Sequence, residues 1–203
     1  MLAGESGHPV ISFSYRLAPE DPFPAAVEDC FAAYQDIVKE FEGKPVYLIG
    51  ESGGAYLSIV TAMMCRDHGA QMPAGVVPYS PPIEFSGKLD RVREENEDFT
   101  VTPQGLLWLG SMYVGEANKG NIYAEPYNDD LHDLPPMFLA WDENETLAVD
   151  SGIIVERLQK NGIEAEHYSY PHCFHAFATT GRGTPESYEI MKNTIAFFER
   201  HAK

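Results

Sequence analysis

The pentapeptide Gly50-Glu51-Ser52-Gly53-Gly54 stands between a short apolar run, Pro45 to Gly50, and a longer apolar stretch with helical character from Ser52 to Asp67. A G-x-S-x-G in a strand-turn-helix context holds its serine on a sharp, strained turn with the hydroxyl exposed. The flanking glycines let strand and helix approach closely. A serine hydroxyl is a poor nucleophile near neutral pH, so chemistry at Ser52 requires a base to take its proton and an acid to orient the base. Both follow in the order serine, acid, histidine. Asp142, Glu145 and Asp150 come after the apolar run Met137 to Trp141, and His175 comes after Ala165 to Tyr170. The amide of Gly53, at a helix start, would donate to a developing oxyanion. The competing reading of the pentapeptide is a glycine-rich turn in which Ser52 caps the helix.

The elements that must position these residues are legible from period and composition. Short β-branched or aromatic runs alternate with helical patterns, the signature of a mostly parallel α/β sheet flanked by helices. Strands of about five in number are expected: Pro9–Tyr15, Pro45–Gly50, Gly75–Tyr79, Met137–Trp141 and Ala165–Tyr170, of which the second and fourth are apolar enough to be covered on both faces. Val27, Phe31, Tyr34, Val38 and Phe41 predict an amphipathic helix ending near Gly43. Further helices are expected over 52–67, 149–161 with Gly162 as its cap, and 185–201. Residues 81–136 break the rhythm, with one good helix at 103–114. A connection that long reads as an insertion over one end of the sheet, a lid within a single domain spanning 1–203. Its residues Leu106, Leu107, Trp108, Leu109, Met112 and Tyr113 are too many for one helical face. Most are expected to pack the helix on the body and the rest to face a ligand.

Taken together, these residues resemble the hormone-sensitive lipase family of α/β-hydrolases, the esterases also called bacterial family IV. Tyr15-Arg16-Leu17-Ala18-Pro19-Glu20, followed by Phe23-Pro24-Ala25-Ala26-Val27-Glu28-Asp29, is similar to that family's YRLAPE segment and following helix. Gly50 to Gly54 resembles its G-D-S-A-G-G elbow, with Glu51 for Asp and Gly53 for Ala. Thr102-Pro103, Trp108 and Tyr113-Val114-Gly115 resemble its cap segment. Leu134-Pro135-Pro136 and Phe174-His175-Ala176-Phe177 resemble the surroundings of its acid and its histidine. The resemblance implies a carboxylic ester hydrolase acting on short to medium acyl esters with Ser52, Glu145 and His175 as a triad, Gly53 as oxyanion donor, and no cofactor. Glu145 aligns with the acid of the family's D-P-L, with Asp142 and Asp150 as alternative acids.

One part of the family pattern is not found. Members carry an H-G-G-G motif upstream of YRLAPE whose amides form most of the oxyanion hole, and this chain has no His-Gly-Gly. In the family's strand order the chain supplies strands 4 to 8, so its first two strands must pair directly or leave a gap. Losing one oxyanion donor costs about 10²- to 10³-fold in rate, so this polypeptide alone is expected to have residual or no hydrolase activity. A non-catalytic ligand-binding or scaffold form of the fold, as in the plant gibberellin receptors that resemble this family, is the alternative; a serine peptidase of the same architecture ranks lower.

Composition narrows the partners. The chain has 203 residues, 14 basic and 31 acidic, for a net charge of −17, and it lacks the basic clusters that nucleic acids or anionic membranes require. The longest apolar stretch is well short of the roughly twenty residues of a bilayer span. Cys30, Cys65 and Cys173 are odd in number and far apart, which fits reduced thiols in the cytoplasm. The expected partners are a small-molecule ester substrate and a second copy of the chain in a homodimer. His167, His172, Cys173 and His175 crowd together, but their spacing is poor for zinc, and no metal is expected. Asn144-Glu145-Thr146 has the form of a glycosylation sequon with no secretory signal before it.

Overall fold

A computed structural model describes residues 1–91 and 98–202. Of the acidic run Glu94 to Asp98, read from the sequence as a solvated loop, all but Asp98 lie outside the described residues. In chain order the elements are α1 (Leu2–Ser6), α2 (Ala25–Glu40), β1 (Tyr47–Glu51), α3 (Gly53–His68), β2 (Gly75–Tyr79), α4 (Pro103–Tyr113), β3 (Met137–Asp142), α5 (Ala148–Lys160), β4 (Ala165–Tyr170) and α6 (Pro185–His201). The four strands form one parallel sheet in the order β1-β2-β3-β4.

Alternation along the strands divides the core into two faces. Val76, Met137, Leu139 and Trp141 pack with Ile59 and Met63 of α3 and with Ile154 and Leu158 of α5. The intervening residues Val77, Tyr79, Phe138 and Ala140 pack on the other face with Phe177 and with Ile190 and Phe197 of α6. Here Gly75 is required, because a Cβ would stand 2.8 Å from the Phe197 ring. Helix α2 forms an outer layer on α3, with Val27 and Cys30 against Tyr56, Leu57 and Val60. That second layer explains why α3 is buried without interruption from Ala55 to Cys65. Gly69 ends α3 in the left-handed conformation, and the Thr184 hydroxyl caps α6 by accepting from Ser187 N at 3.2 Å.

Two expectations about the sheet need correction. Pro9–Tyr15 alternates like a strand but forms none, and Val10, Ile11 and Phe13 are exposed. A strand exists through its ladder, which needs a neighbour about 4.8 Å away. Among the described residues no strand pairs with this segment or with the free side of β1, so the gap is what occurs. For the same reason β1 is an edge strand and only half-buried, whereas β2 and β3 are buried throughout. The Pro9–Tyr15 segment is nevertheless anchored at its end. Arg16 donates from its backbone N to Asp29 Oδ2 at 2.9 Å, from its guanidinium to both Asp29 oxygens, and to the Ala25 carbonyl. The arginine of the Tyr15–Glu20 segment thus ties it to the first turns of α2.

Residues 81–136 contain α4, two short 3₁₀ turns and, among the described residues, no strand. Buried charge holds this stretch to the body. Arg91 Nε lies 2.7 Å from Asp150 Oδ2, and its Nη1 lies 3.1 Å from Glu84 Oε2. Asp150 also accepts from Ile83 N at 2.9 Å. In α4, Leu106 is buried and Tyr113 packs edge-on against Tyr56, but Leu107, Trp108 and Leu109 are exposed. The expectation that most of the six apolar residues pack on the body therefore holds for only part of the helix.

Candidate active site

Ser52 links β1 to α3 with φ 52° and ψ −117°, a conformation that costs a non-glycine residue on the order of 1–3 kcal/mol. Its surroundings hold it there. Ser52 N donates to the Tyr79 carbonyl of β2 at 2.9 Å, and Tyr56 N donates to the Ser52 carbonyl at 3.0 Å. The turn is so tight that a Cβ on Gly50 would lie 2.1 Å from the Gly54 carbonyl oxygen, so only glycine fits. Gly53 and Gly54 have open space where a Cβ would be. Gly53 is the first residue of α3 and exposed, and a first-turn amide has no intrahelical acceptor. The Ser52 side chain makes no capping hydrogen bond to α3, which removes the main support for the N-cap reading.

The loops after β3 and β4 bring Glu145 and His175 together. His175 Nδ1 lies 3.0 Å from Glu145 Oε2, and both side chains are buried. Across the ring, Nε2 lies 3.4 Å from Oε1 of Glu51, the residue before Ser52. Burial alone would pull the His175 pKa down. The hydrogen bond and charge of Glu145, with the charges of Glu51 and Asp98, outweigh it and raise the pKa above the ordinary histidine value. Glu145 is pushed up by burial, against the opposing pull of its histidine partner.

The alternative acids are placed elsewhere. Asp142, at the end of β3, accepts from Asn144 N at 2.7 Å and from Cys173 N, so it braces both loops from below. Asp150 is committed to Arg91 and Ile83 N. His167 stacks on Trp141, and Asn144 Nδ2 reaches His172 Nδ1 at 3.3 Å. Among the described residues, the crowded group His167, His172, Cys173 and His175 does not converge on one point. Three hydrogen bonds that sequence reasoning missed steady the loop carrying Glu145. Thr146 N donates to Asp98 Oδ2 at 3.2 Å, Thr146 Oγ1 donates to the Val101 carbonyl at 2.5 Å, and Asp98 accepts from Val101 N at 2.9 Å. Partners 45 and 48 residues apart leave no local signal. A separate cleft of about 340 Å³, lined by Tyr127, Asp130, Arg157 and Lys160 among others, lacks a serine or cysteine nucleophile.

A serine on a strained strand-to-helix turn, with a carboxylate-histidine pair delivered by later strands of the same parallel sheet, defines the α/β-hydrolase class. The chain belongs to the α/β-hydrolase-fold family, whose model matches residues 1–179. It is similar to an acetyl-hydrolase of Streptomyces hygroscopicus, 31% identical over 201 residues that make up 97% of this chain and 66% of that one. It is also similar to a carboxylesterase of Mycobacterium tuberculosis, 27% identical over 94% of this chain and 63% of the relative. A solved hormone-sensitive lipase homologue from a metagenome library superimposes with a TM-score of 0.92 at 30% identity, over 100% of this chain and 70% of that structure. The resemblance to the hormone-sensitive lipase family thus extends from motifs to the fold. The chain spans just under two thirds of the length of these curated relatives. Among the described residues, no helix is long and apolar enough to cross a membrane.

Proposed function

We propose that this chain carries the nucleophile, base and acid of a carboxylic ester hydrolase. Ser52 Oγ attacks the ester carbonyl while His175 Nε2 takes its proton and returns it to the departing alcohol. Water then cleaves the acyl-serine by the same route in reverse roles. Glu145 fixes the ring through Nδ1, and the Gly53 amide donates to the oxyanion. The observation that carries this reading is the 3.0 Å Glu145–His175 pair, with the opposite ring nitrogen set against the residue next to Ser52. In this reading the described parts of the 81–136 stretch serve as a lid over this edge, since Thr146, beside the proposed acid, is tied to Asp98 and Val101. For short to medium acyl chains the proposed apolar surface is that of exposed Leu107, Trp108 and Leu109 in α4.

A fluorophosphonate probe tests the reading, because labelling requires an activated serine. The parent chain should label and Ser52→Ala should not. A second reading, a ligand-binding form without turnover, is favoured by one feature: among the described residues Nε2 faces Glu51 Oε1 at 3.4 Å rather than the Ser52 hydroxyl. A folded parent chain that resists the probe would select it.

A further inference from the structure

His175 has a carboxylate against each ring nitrogen. Glu145 Oε2 faces Nδ1 at 3.0 Å, and Glu51 Oε1 faces Nε2 at 3.4 Å. An orienting acid accounts for the first contact. The second is different in kind, because Nε2 is the atom that must accept the serine proton. Glu51 Oε1 is buried and makes no hydrogen bond, and an unpaired buried carboxylate oxygen is costly. The histidine opposite is the compensation available to it. Glu51 has little freedom to turn away, because it ends β1 in register with Tyr79 and is followed at once by the strained Ser52.

We propose that Glu51 is a positioning residue for His175: ionised, it stands opposite Nε2 as a second counter-charge to the imidazolium in the resting protein, and the ring serves Ser52 as a base only after the Nε2 proton leaves. This rests on the assignment of Ser52 and His175 given above. The charged groups acting on the ring are Glu145 from the loop after β3, Glu51 from the end of β1 and Asp98 from the segment before α4. Burial pushes the Glu51 pKa up and Glu145 adds to this, while the charge of His175 pulls it down. The net shift is upward, so burial outweighs His175; the pairing itself works against burial by favouring a proton on the ring together with a charge on Glu51.

The test is an NMR titration of ring-labelled histidine in the intact chain, with the His175 signal identified by its loss in His175→Gln. Removing an opposite charge at this range shifts a pKa by about one unit or more, so Glu51→Gln should lower the His175 midpoint by that amount. Glu51→Asp, which keeps the charge but withdraws it by a methylene, should lower it less. An unchanged midpoint in folded Glu51→Gln overturns the proposal. Should the Gln variant not fold, an unchanged midpoint in Glu51→Asp does the same. The readout needs no turnover, so a parent chain that fails to hydrolyse esters counts against the hydrolase reading alone.

Discussion

Glu145 and His175 are 30 residues apart in sequence and 3.0 Å apart in space. The sheet produces the meeting. Strands β3 and β4 run parallel with Asp142 opposite Tyr170, so their ends are level and the two loops leave the sheet at the same height. The same logic places Ser52, because Glu51 at the end of β1 is opposite Tyr79 at the end of β2, and Tyr79 is opposite Ala140. Parallel strands of matched length gather at one edge residues that the chain keeps far apart.

If Glu145 orients the base, Glu145→Gln should lower kcat toward a short acyl ester by on the order of 10³- to 10⁴-fold, approaching the loss for Ser52→Ala. Asp142→Asn should cost far less, because Asp142 braces loops and does not touch the ring. Steady-state kinetics of the three variants decide this. A collapse in Asp142→Asn with Glu145→Gln near normal would reverse the assignment.

Asp150→Asn should affect stability rather than chemistry. It leaves the buried Arg91 guanidinium short of a charge partner, and breaking a buried pair from one side costs about 3–5 kcal/mol. Urea denaturation should show that loss. A variant of parental stability would mean that Glu84 alone satisfies Arg91.

The elbow glycines should divide sharply. Gly50→Ala places a Cβ 2.1 Å from the Gly54 carbonyl oxygen, and relieving such overpacking costs about 1–3 kcal/mol along with the position of Ser52. Gly53→Ala meets nothing within 4 Å and should change stability by less than about 0.5 kcal/mol. Melting curves and probe labelling of both variants check this pair.

With a folded pKa raised above 6.5, His175 becomes a free base only at pH values above that figure. The rising limb of kcat/KM should have its midpoint there, and Glu145→Gln should move it down. Stability runs the other way. A raised histidine pKa contributes stability that is complete below the unfolded value and lost as the pH climbs through the folded one. Glu145, raised by burial from 4.5, also loses stability with rising pH, over the lower interval between its unfolded and folded values. The melting temperature should therefore fall while activity rises.

Sequence patterns were legible where one element contains its own signal. The strands at 75–79, 137–142 and 165–170 were placed to within a residue by their apolar and aromatic runs, and Ser52 by its pentapeptide. The miss at Pro9–Tyr15 shows the limit of alternation, which describes a strand's faces but says nothing of its neighbours. Helix α1 escaped because five residues with none buried carry no periodic stripe. In the site, the acid could be ranked from order and resemblance, but the contact between Glu51 and His175, 124 positions later, depends on a register that residue types do not encode. The Arg91–Asp150 pair was missed for the same reason: Asp150, weighed from the sequence as an alternative acid, contacts Arg91 and the Ile83 amide.

The bare flank of β1 has a consequence for how this chain behaves in bulk. On that side the backbone donors and acceptors of Tyr47 to Glu51 have no strand partner among the described residues, Ile49 is 39% exposed, and Val10, Ile11 and Phe13 are also open to solvent. Native sheets protect such flanks with lysine, proline or a bulge, and the run Tyr-Leu-Ile-Gly-Glu has none of these. The high negative charge of the chain opposes association over the range of the Debye length, and added salt removes that opposition. Shelf life at high ionic strength is then set by colloidal behaviour, by how quickly one unshielded flank finds another, well before the fold itself gives way.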